Sequence, residues 1–477
     1  MSRFGSPSLA QARRRFLIAL ILATAWTSLP GCPDPSSPRS KIDARTEGAT
    51  TTDAEPEPTP TAIRDGWSTD QLKLLQSMSI EALAPPPDDP SNRFANDPVA
   101  AALGHLLFFD TRLASTGEVS CATCHDPARF FTDGKRVSTG VLSTSRNAPT
   151  VVGAAYSPFL YWDGRRDSLW SQALAPFEST AEMNRTRVEV LSQVASDPAE
   201  SALYLEIFGQ PVLSDGIANL DERAGPYGDA SARDAWTRMT PADREAIDRA
   251  FANIGKAIAA YQRLLVPGPG RFDRYVRSLV REPDDGTPPE ELLPSELLGL
   301  RLFIDPGRTQ CLRCHNGPLF TNQGFHRVGT ETTVDGLPEF GRFLGLQAVL
   351  VDPFNCLGPF SDAEANGCRE LRFLRLDHVD AEMGKFKTPT LRGLSETGPY
   401  MHDGRFATLG AVVDHYVNPP PGGPGVPNGH ELLPLTLSTG ERRALVDFLL
   451  TLDAELAVAP RWTTRPARPT GNSPATP

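Results

Sequence analysis

Residues 121–125 read Cys121-Ala122-Thr123-Cys124-His125, and the same spacing returns as Cys311-Leu312-Arg313-Cys314-His315. Two thiols three positions apart can each add to a vinyl group of one porphyrin, and the histidine that follows can turn its imidazole onto the iron. Each pentapeptide therefore reads as a c-type haem attachment site. A zinc site built from both would have to converge across a long separation and would leave the flanks unexplained. Those flanks repeat: Leu103-Gly104-His105-Leu106-Leu107-Phe108-Phe109-Asp110 precedes the first site and Leu298-Gly299-Leu300-Arg301-Leu302-Phe303-Ile304-Asp305 the second. Leu-Gly, Leu-Phe and Asp recur at matched offsets, so two cytochrome-like domains with one haem each are expected.

At 477 residues the chain exceeds one typical core. Arg13-Arg14-Arg15, the apolar run Phe16 to Trp26 and then Leu29-Pro30-Gly31-Cys32 read as a lipoprotein-type signal sequence over 1–31, too short to span a membrane. A plain secretory signal with a free Cys32 is the alternative. The resemblance of Arg13-Arg14 and Phe16-Leu17 to a twin-arginine signal carries less weight, because haem attachment normally follows export of the unfolded chain. Residues 32–62, rich in Pro, Ser, Thr, Asp and Glu, are expected to form a disordered tether. The expected location is the periplasm, with membrane contact only through the lipid on Cys32.

Seven cysteines fit that reading. One carries lipid, four carry haem, and Cys356 with Cys368 are expected to form a disulfide in an oxidising compartment, two buried thiols being the alternative. The formal charge is −11; four of the 47 basic residues and none of the 58 acids fall in 1–31, which leaves −15 on the remainder. Nucleic acid is excluded as a partner, and a small basic redox protein suits the surface.

Along the chain, Ser68-x-x-Gln71 marks a capping box and Pro85-Pro86-Pro87 a stop. A helix over about 98–109 leads to the first haem. Thr240-Pro241-x-Asp243 opens a helix on which Ile247, Phe251, Ile254, Ile258, Tyr261 and Leu265 share one face, a core pattern. Ser438-x-x-Glu441 opens a closing helix that carries Leu445, Phe448, Leu449 and Leu452. The expected fold is mainly α and loop-rich, with a first haem domain over 63–282, a proline-rich linker, a second over 295–456 and a disordered tail over 457–477. Residues 126–150 hold neither His nor Met, so the first haem is expected to be open on its distal side and able to bind a small molecule, a distant ligand from elsewhere in the fold being the alternative.

Further motifs follow in order: Arg146-Asn147-Ala148-Pro149-Thr150, Trp162-Asp163-Gly164-Arg165, Gln172, Glu182-Met183, Lys387-Thr388-Pro389-Thr390-Leu391-Arg392 and Pro399-Tyr400-Met401-His402-Asp403-Gly404. With the haem motifs, this order resembles the bacterial di-haem cytochrome c peroxidase and MauG superfamily over roughly residues 65–455. The resemblance implies two covalently bound haem c groups on Cys121, Cys124 and Cys311, Cys314, with His125 and His315 as iron ligands. It implies Glu182 as acid/base and Gln172 as a second polar group above the open haem, and Trp162 as the conduit between haems. Asn147 and the carbonyls of Thr397 and Pro399 match the family's calcium site. The second haem's sixth ligand falls on Tyr416, with His415 beside it as a rival and His326, His378, Met383, Met401, His402 and His430 also downstream. The implied activity is reduction of hydrogen peroxide with electrons from a small cytochrome c or cupredoxin. The alternatives are a MauG-like enzyme that oxidises a partner protein through high-valent haem, and a plain electron carrier. A homodimer is a further family expectation.

Overall fold

The computed structural model describes residues 63–213, 221–281, 286–330, 333–334, 337–364, 366–376, 379–421 and 429–467. The expected signal sequence, Cys32 and the tether lie outside them, as does the end of the tail. The fold is mainly helical, with three two-stranded ribbons as its only sheets among the described residues. No described helix is long and apolar enough to cross a membrane.

Two helix crossings carry the repeated flanks. The Pro98–Phe109 helix starts where Asp97 accepts from the Val99 and Ala100 N–H groups and Pro98 fills the first turn. It packs on the Pro241–Gln262 helix, on which Ile247, Phe251, Ile254, Ile258 and Tyr261 are all fully buried. In the other half, Pro294–Ile304 crosses Thr439–Leu450, the latter opened by the Ser438/Glu441 capping box. The Leu-Gly pairs sit at the two crossing points. A Cβ at Gly104 would overlap the Ala257 carbonyl, and one at Gly299 the Ala444 carbonyl. Each glycine lets two backbones approach where any side chain would hold them apart.

Each crossing heads an apolar core. The first gathers Phe108, Trp170, Phe177, Phe251 and Tyr261, and also takes Phe354 and Phe360 from the disulfide-bearing segment. Phe272, Phe303, Phe320 and Phe448 form the second, with Trp67, Leu75 and Met78 from the beginning of the described chain. Trp67 is held there by a hydrogen bond from its indole N–H to the Tyr275 hydroxyl (2.7 Å). Buried charge is paired as well: Arg392 and Asp273, both under 2% exposed, form a two-pronged ion pair, and the Asp273 carboxylate also accepts from the backbone N–H groups of Ile80 and Gly270. Cys356 and Cys368 are joined in a disulfide, Cα–Cα 5.6 Å.

The ribbons tie distant segments together. Pro267–Gly270 pairs with Ala454–Leu456, and Phe325–His326 pairs antiparallel with Phe386–Lys387, which sets Phe325 opposite Lys387 and His326 opposite Phe386. The second ribbon brings the loop after His315 onto the Lys387–Arg392 motif, at the wall of the site.

Candidate functional site

Each Cys-x-x-Cys-His motif folds as one tight helical turn. In Cys121–Cys124, the His125 N–H returns to the Cys121 carbonyl (2.9 Å); in the 3₁₀ turn Cys311–Arg313, the His315 N–H returns to Cys311 (2.8 Å). The turn puts both thiols on one side and hands the histidine inward. His125 Nδ1–H donates to the Phe131 carbonyl (3.1 Å) and His315 Nδ1–H to the Phe320 carbonyl (2.9 Å). This tautomer leaves each Nε2 as a free lone pair, the arrangement a metal-bound imidazole needs. Burial pushes both rings below the ordinary histidine value, His315 to about 4, so they are neutral.

One cavity of about 600 Å³ is lined by Cys124 and His125 from the first motif and by Cys311, Cys314 and His315 from the second. The same cavity takes in Trp162, Gln172, Glu182, Asn147, Thr397, Pro399 and Tyr416, bringing together residues far apart in sequence. A space of this kind, walled by apolar side chains and bordered by paired thiols and neutral imidazoles, fits covalently held haem.

Glu182 is fixed through its backbone. Val141 N–H donates to the Glu182 carbonyl (2.8 Å) and Leu142 N–H to that of Ala181 (2.9 Å), while Glu182 N–H caps back to Ser179 (3.1 Å). A Cβ at Gly140 would overlap the Glu182 carbonyl, so that glycine sets the close approach of the two loops. Met183 turns the other way and is buried in the core. The Glu182 charge is felt at both Cys121 and Cys124, which places it at the first attachment site.

Trp162 lines the cavity and is held on both sides. Its indole N–H donates to the Asn147 carbonyl (2.9 Å), and its own carbonyl accepts from Lys387 N–H (2.8 Å). Asn147 N–H in turn donates to the His402 carbonyl (2.9 Å), so one residue ties the first-haem loop to the tryptophan and to the second half. The Asn147 amide nitrogen is committed to the Lys135 carbonyl (2.8 Å), which leaves Oδ1 as the atom available to a cation. Lys387 Nζ donates to Ser157 (2.8 Å), and its burial lowers it to about 8.

Around the second attachment site the structure separates the competing residues. Tyr416 lines the cavity, and burial pushes its phenol above the ordinary tyrosine value. His415, one step along the same Leu409–Val417 helix, turns away and hydrogen-bonds through Nε2 to the Val328 carbonyl (2.7 Å). His402 is engaged by Glu339 (3.0 Å) and stacked on Phe386, centroids 3.7 Å apart. His326 uses both ring nitrogens, on Glu431 (2.8 Å) and Asn322 (3.0 Å). Met401 also lines the cavity; Met383 and His430 are not among its walls, and His378 lies outside the described residues.

Sequence reasoning missed a third repeat. Tyr161-Trp162-Asp163-Gly164-Arg165 and Met401-His402-Asp403-Gly404-Arg405 adopt the same turn, closed by the Leu160–Arg166 and Tyr400–Phe406 bridges. Tyr161 and Met401 both have positive φ (65° and 73°), as do Gly164 and Gly404 (69° and 62°). Arg165 pairs with Asp163 (2.9 Å) and Arg405 with Asp403 (3.0 Å), and Ser168 or Thr408 then caps the following helix. The repeated Asp-Gly-Arg was the available signal. Tyr161 is itself a wall of the cavity.

The fold and the site define a c-type cytochrome with two haem sites facing one cavity. The family of di-haem cytochrome c peroxidases matches residues 98–280. The methylamine utilization protein MauG of Methylorubrum extorquens is 32% identical over 363 residues, 76% of this chain and 80% of that protein. The cytochrome-c peroxidase IdrP2 of Denitromonas iodatirespirans is 31% identical, over 74% of this chain and 81% of its own length. Among solved structures, the diheme peroxidase BthA from Burkholderia thailandensis superposes with a TM-score of 0.55 at 22% identity, covering 80% of this chain and 93% of that one. The protein belongs to the di-haem cytochrome c peroxidase and MauG family, and is an oxidoreductase of the type that carries two covalently bound haem c groups.

Proposed function

We propose that the protein is a periplasmic peroxidase that reduces hydrogen peroxide to water with electrons from a small cytochrome c or cupredoxin. The balance is one peroxide, two protons and two electrons to two waters. Haem bound at Cys121 and Cys124 supplies a Lewis-acidic iron and the electrons that reach the peroxide. Glu182 moves the protons: its carboxylate takes one from peroxide and returns it to the oxygen that leaves as water, while Gln172 orients the substrate. Trp162, bonded to Asn147 on one side and Lys387 on the other, holds the path between the two attachment sites rigid. Asn147, Thr397 and Pro399 offer neutral oxygens for a structural calcium ion.

The observation that carries this reading is that Glu182 and Gln172 both line the cavity that holds the first motif, with the charge of Glu182 acting on Cys124. In the di-haem protein, Glu182→Gln should lower peroxide turnover by about 10²–10⁴ while both haems remain attached. Full turnover in that variant would remove Glu182 from the chemistry. A plain electron carrier predicts that the substitution changes nothing.

Tyr416 favours a second reading. As sixth ligand of the second haem, a phenolate would stabilise oxidised iron and suit long-range oxidation of a partner protein, as in MauG-like enzymes. The acidic balance of the chain outside 1–31 supports a basic redox donor. The lipid anchor on Cys32 and a homodimer belong to this proposal as well.

A further inference from the structure

Tyr161 is held in place by its backbone and by a neighbouring charge. Its φ of 65° is a left-handed conformation that costs an aromatic residue on the order of 1–2 kcal/mol, and such strain is held where the surroundings require it. The guanidinium of Arg165 lies 3.4 Å from the ring centroid, and Asp163 fixes that guanidinium in turn. The ring is thereby locked against rotation out of the cavity. Its hydroxyl oxygen is buried and makes no well-formed hydrogen bond, although Gln172 comes close to it and the charge of Glu182 acts on it. A buried, unpartnered O–H is expensive unless something else occupies it.

We propose that Tyr161 is a third member of the peroxide pocket, a fixed hydrogen-bond donor to the small oxygen ligand that Glu182 and Gln172 also address. The inference rests on the peroxidase reading for the identity of that ligand. Burial, with the nearby Glu182 charge, pushes the phenol up to about 12, so it stays protonated and donates without losing its proton. Glu182 and Tyr161 then divide the work. The carboxylate carries the proton, and the phenol stabilises negative charge on the oxygen that receives it. Met401 occupies the equivalent position in the second half and offers no donor there, an asymmetry that suits two sites with different tasks.

Fluoride tests this without any turnover, because its affinity for open ferric haem depends on hydrogen-bond donors above the iron. Sodium fluoride is titrated into the ferric di-haem protein at about pH 6 and read from the haem absorption spectrum. Tyr161→Phe keeps the ring and the Arg165 stacking, and should weaken fluoride about tenfold and slow the reaction with peroxide by a similar factor. Unchanged fluoride affinity, or no fluoride binding by the wild-type protein, would overturn the proposal. Should the Phe variant fail to take up haem, 3-fluorotyrosine at position 161 makes the hydroxyl a stronger donor with little added bulk; fluoride should bind more tightly, and an unaltered affinity would count against the idea. Weakened fluoride with no peroxide turnover by the wild type would leave the donor in place and remove the peroxidase reading instead.

Discussion

Asp167 follows the Asp-Gly-Arg turn, and its carboxylate reaches across to the disulfide-bearing segment, where Oδ2 accepts from the Cys356 N–H (2.7 Å). Its Oδ1 is buried and has no partner, and Asp352 and Asp89 face it, the former already held by Arg166 (3.0 Å). Burial pushes this carboxyl up to about 7. In the unfolded chain it would ionise near 4, so between about pH 4 and 7 the folded state holds a proton that the unfolded state has lost. Stability therefore falls as pH rises through that window, by at most about 1.4 kcal/mol per unit, and levels off above it. Asp167→Asn should flatten this loss, so that at pH 8 the variant has the higher urea midpoint and at pH 4 the two proteins converge. A wild-type-like pH profile in the variant would contradict the assignment. Single residues were legible in the sequence where covalent chemistry fixes the pattern, as in the two Cys-x-x-Cys-His runs. Asp167, Tyr161 and the Arg392–Asp273 pair were not, because their meaning comes from partners as far as 189 positions away.

The helices that carry the attachment sites were readable because their ends are chemically marked. Asp97-Pro98, Thr240-Pro241 and the Ser438/Glu441 box each satisfy orphan N–H groups with a local side chain, and local chemistry survives in sequence. The Leu-Gly repeat was visible too, but not its reason, since the opposing carbonyls belong to other helices. Gly299 puts that reason to the test. Gly299→Ala gains helix propensity, yet its Cβ meets the Ala444 backbone, which cannot step aside as a side chain would. A loss of about 1–3 kcal/mol is expected in chemical denaturation of the di-haem protein, with a shift in the spectrum of the second haem. An unaltered or raised stability would show that the crossing has slack. The segment around the Cys356–Cys368 disulfide was the hardest element to anticipate, because Phe354 and Phe360 are built into the first core rather than the neighbouring one.

For the whole molecule, the decisive arrangement is that both attachment motifs, Trp162 and Glu182 line a single cavity. Sequence order could not show that, since the two motifs lie far apart and converge through contacts between the halves, such as Asn147 N–H to the His402 carbonyl and Lys387 N–H to the Trp162 carbonyl. The repeat of Leu-Gly helices and Asp-Gly-Arg turns makes the two halves alike in framework, and the residues set into it differ: Glu182, Gln172 and Tyr161 at one site, Tyr416 and Met401 at the other. That difference predicts one site open to peroxide and one that passes electrons. Double-mixing stopped-flow spectroscopy tests the claim most directly: the ferric di-haem protein meets one equivalent of hydrogen peroxide and then a reduced small cytochrome c. Rapid oxidation of two cytochromes per peroxide is expected, renewed with each further addition. A long-lived oxidised haem spectrum that the cytochrome discharges only slowly, or no reaction with peroxide at all, would contradict it.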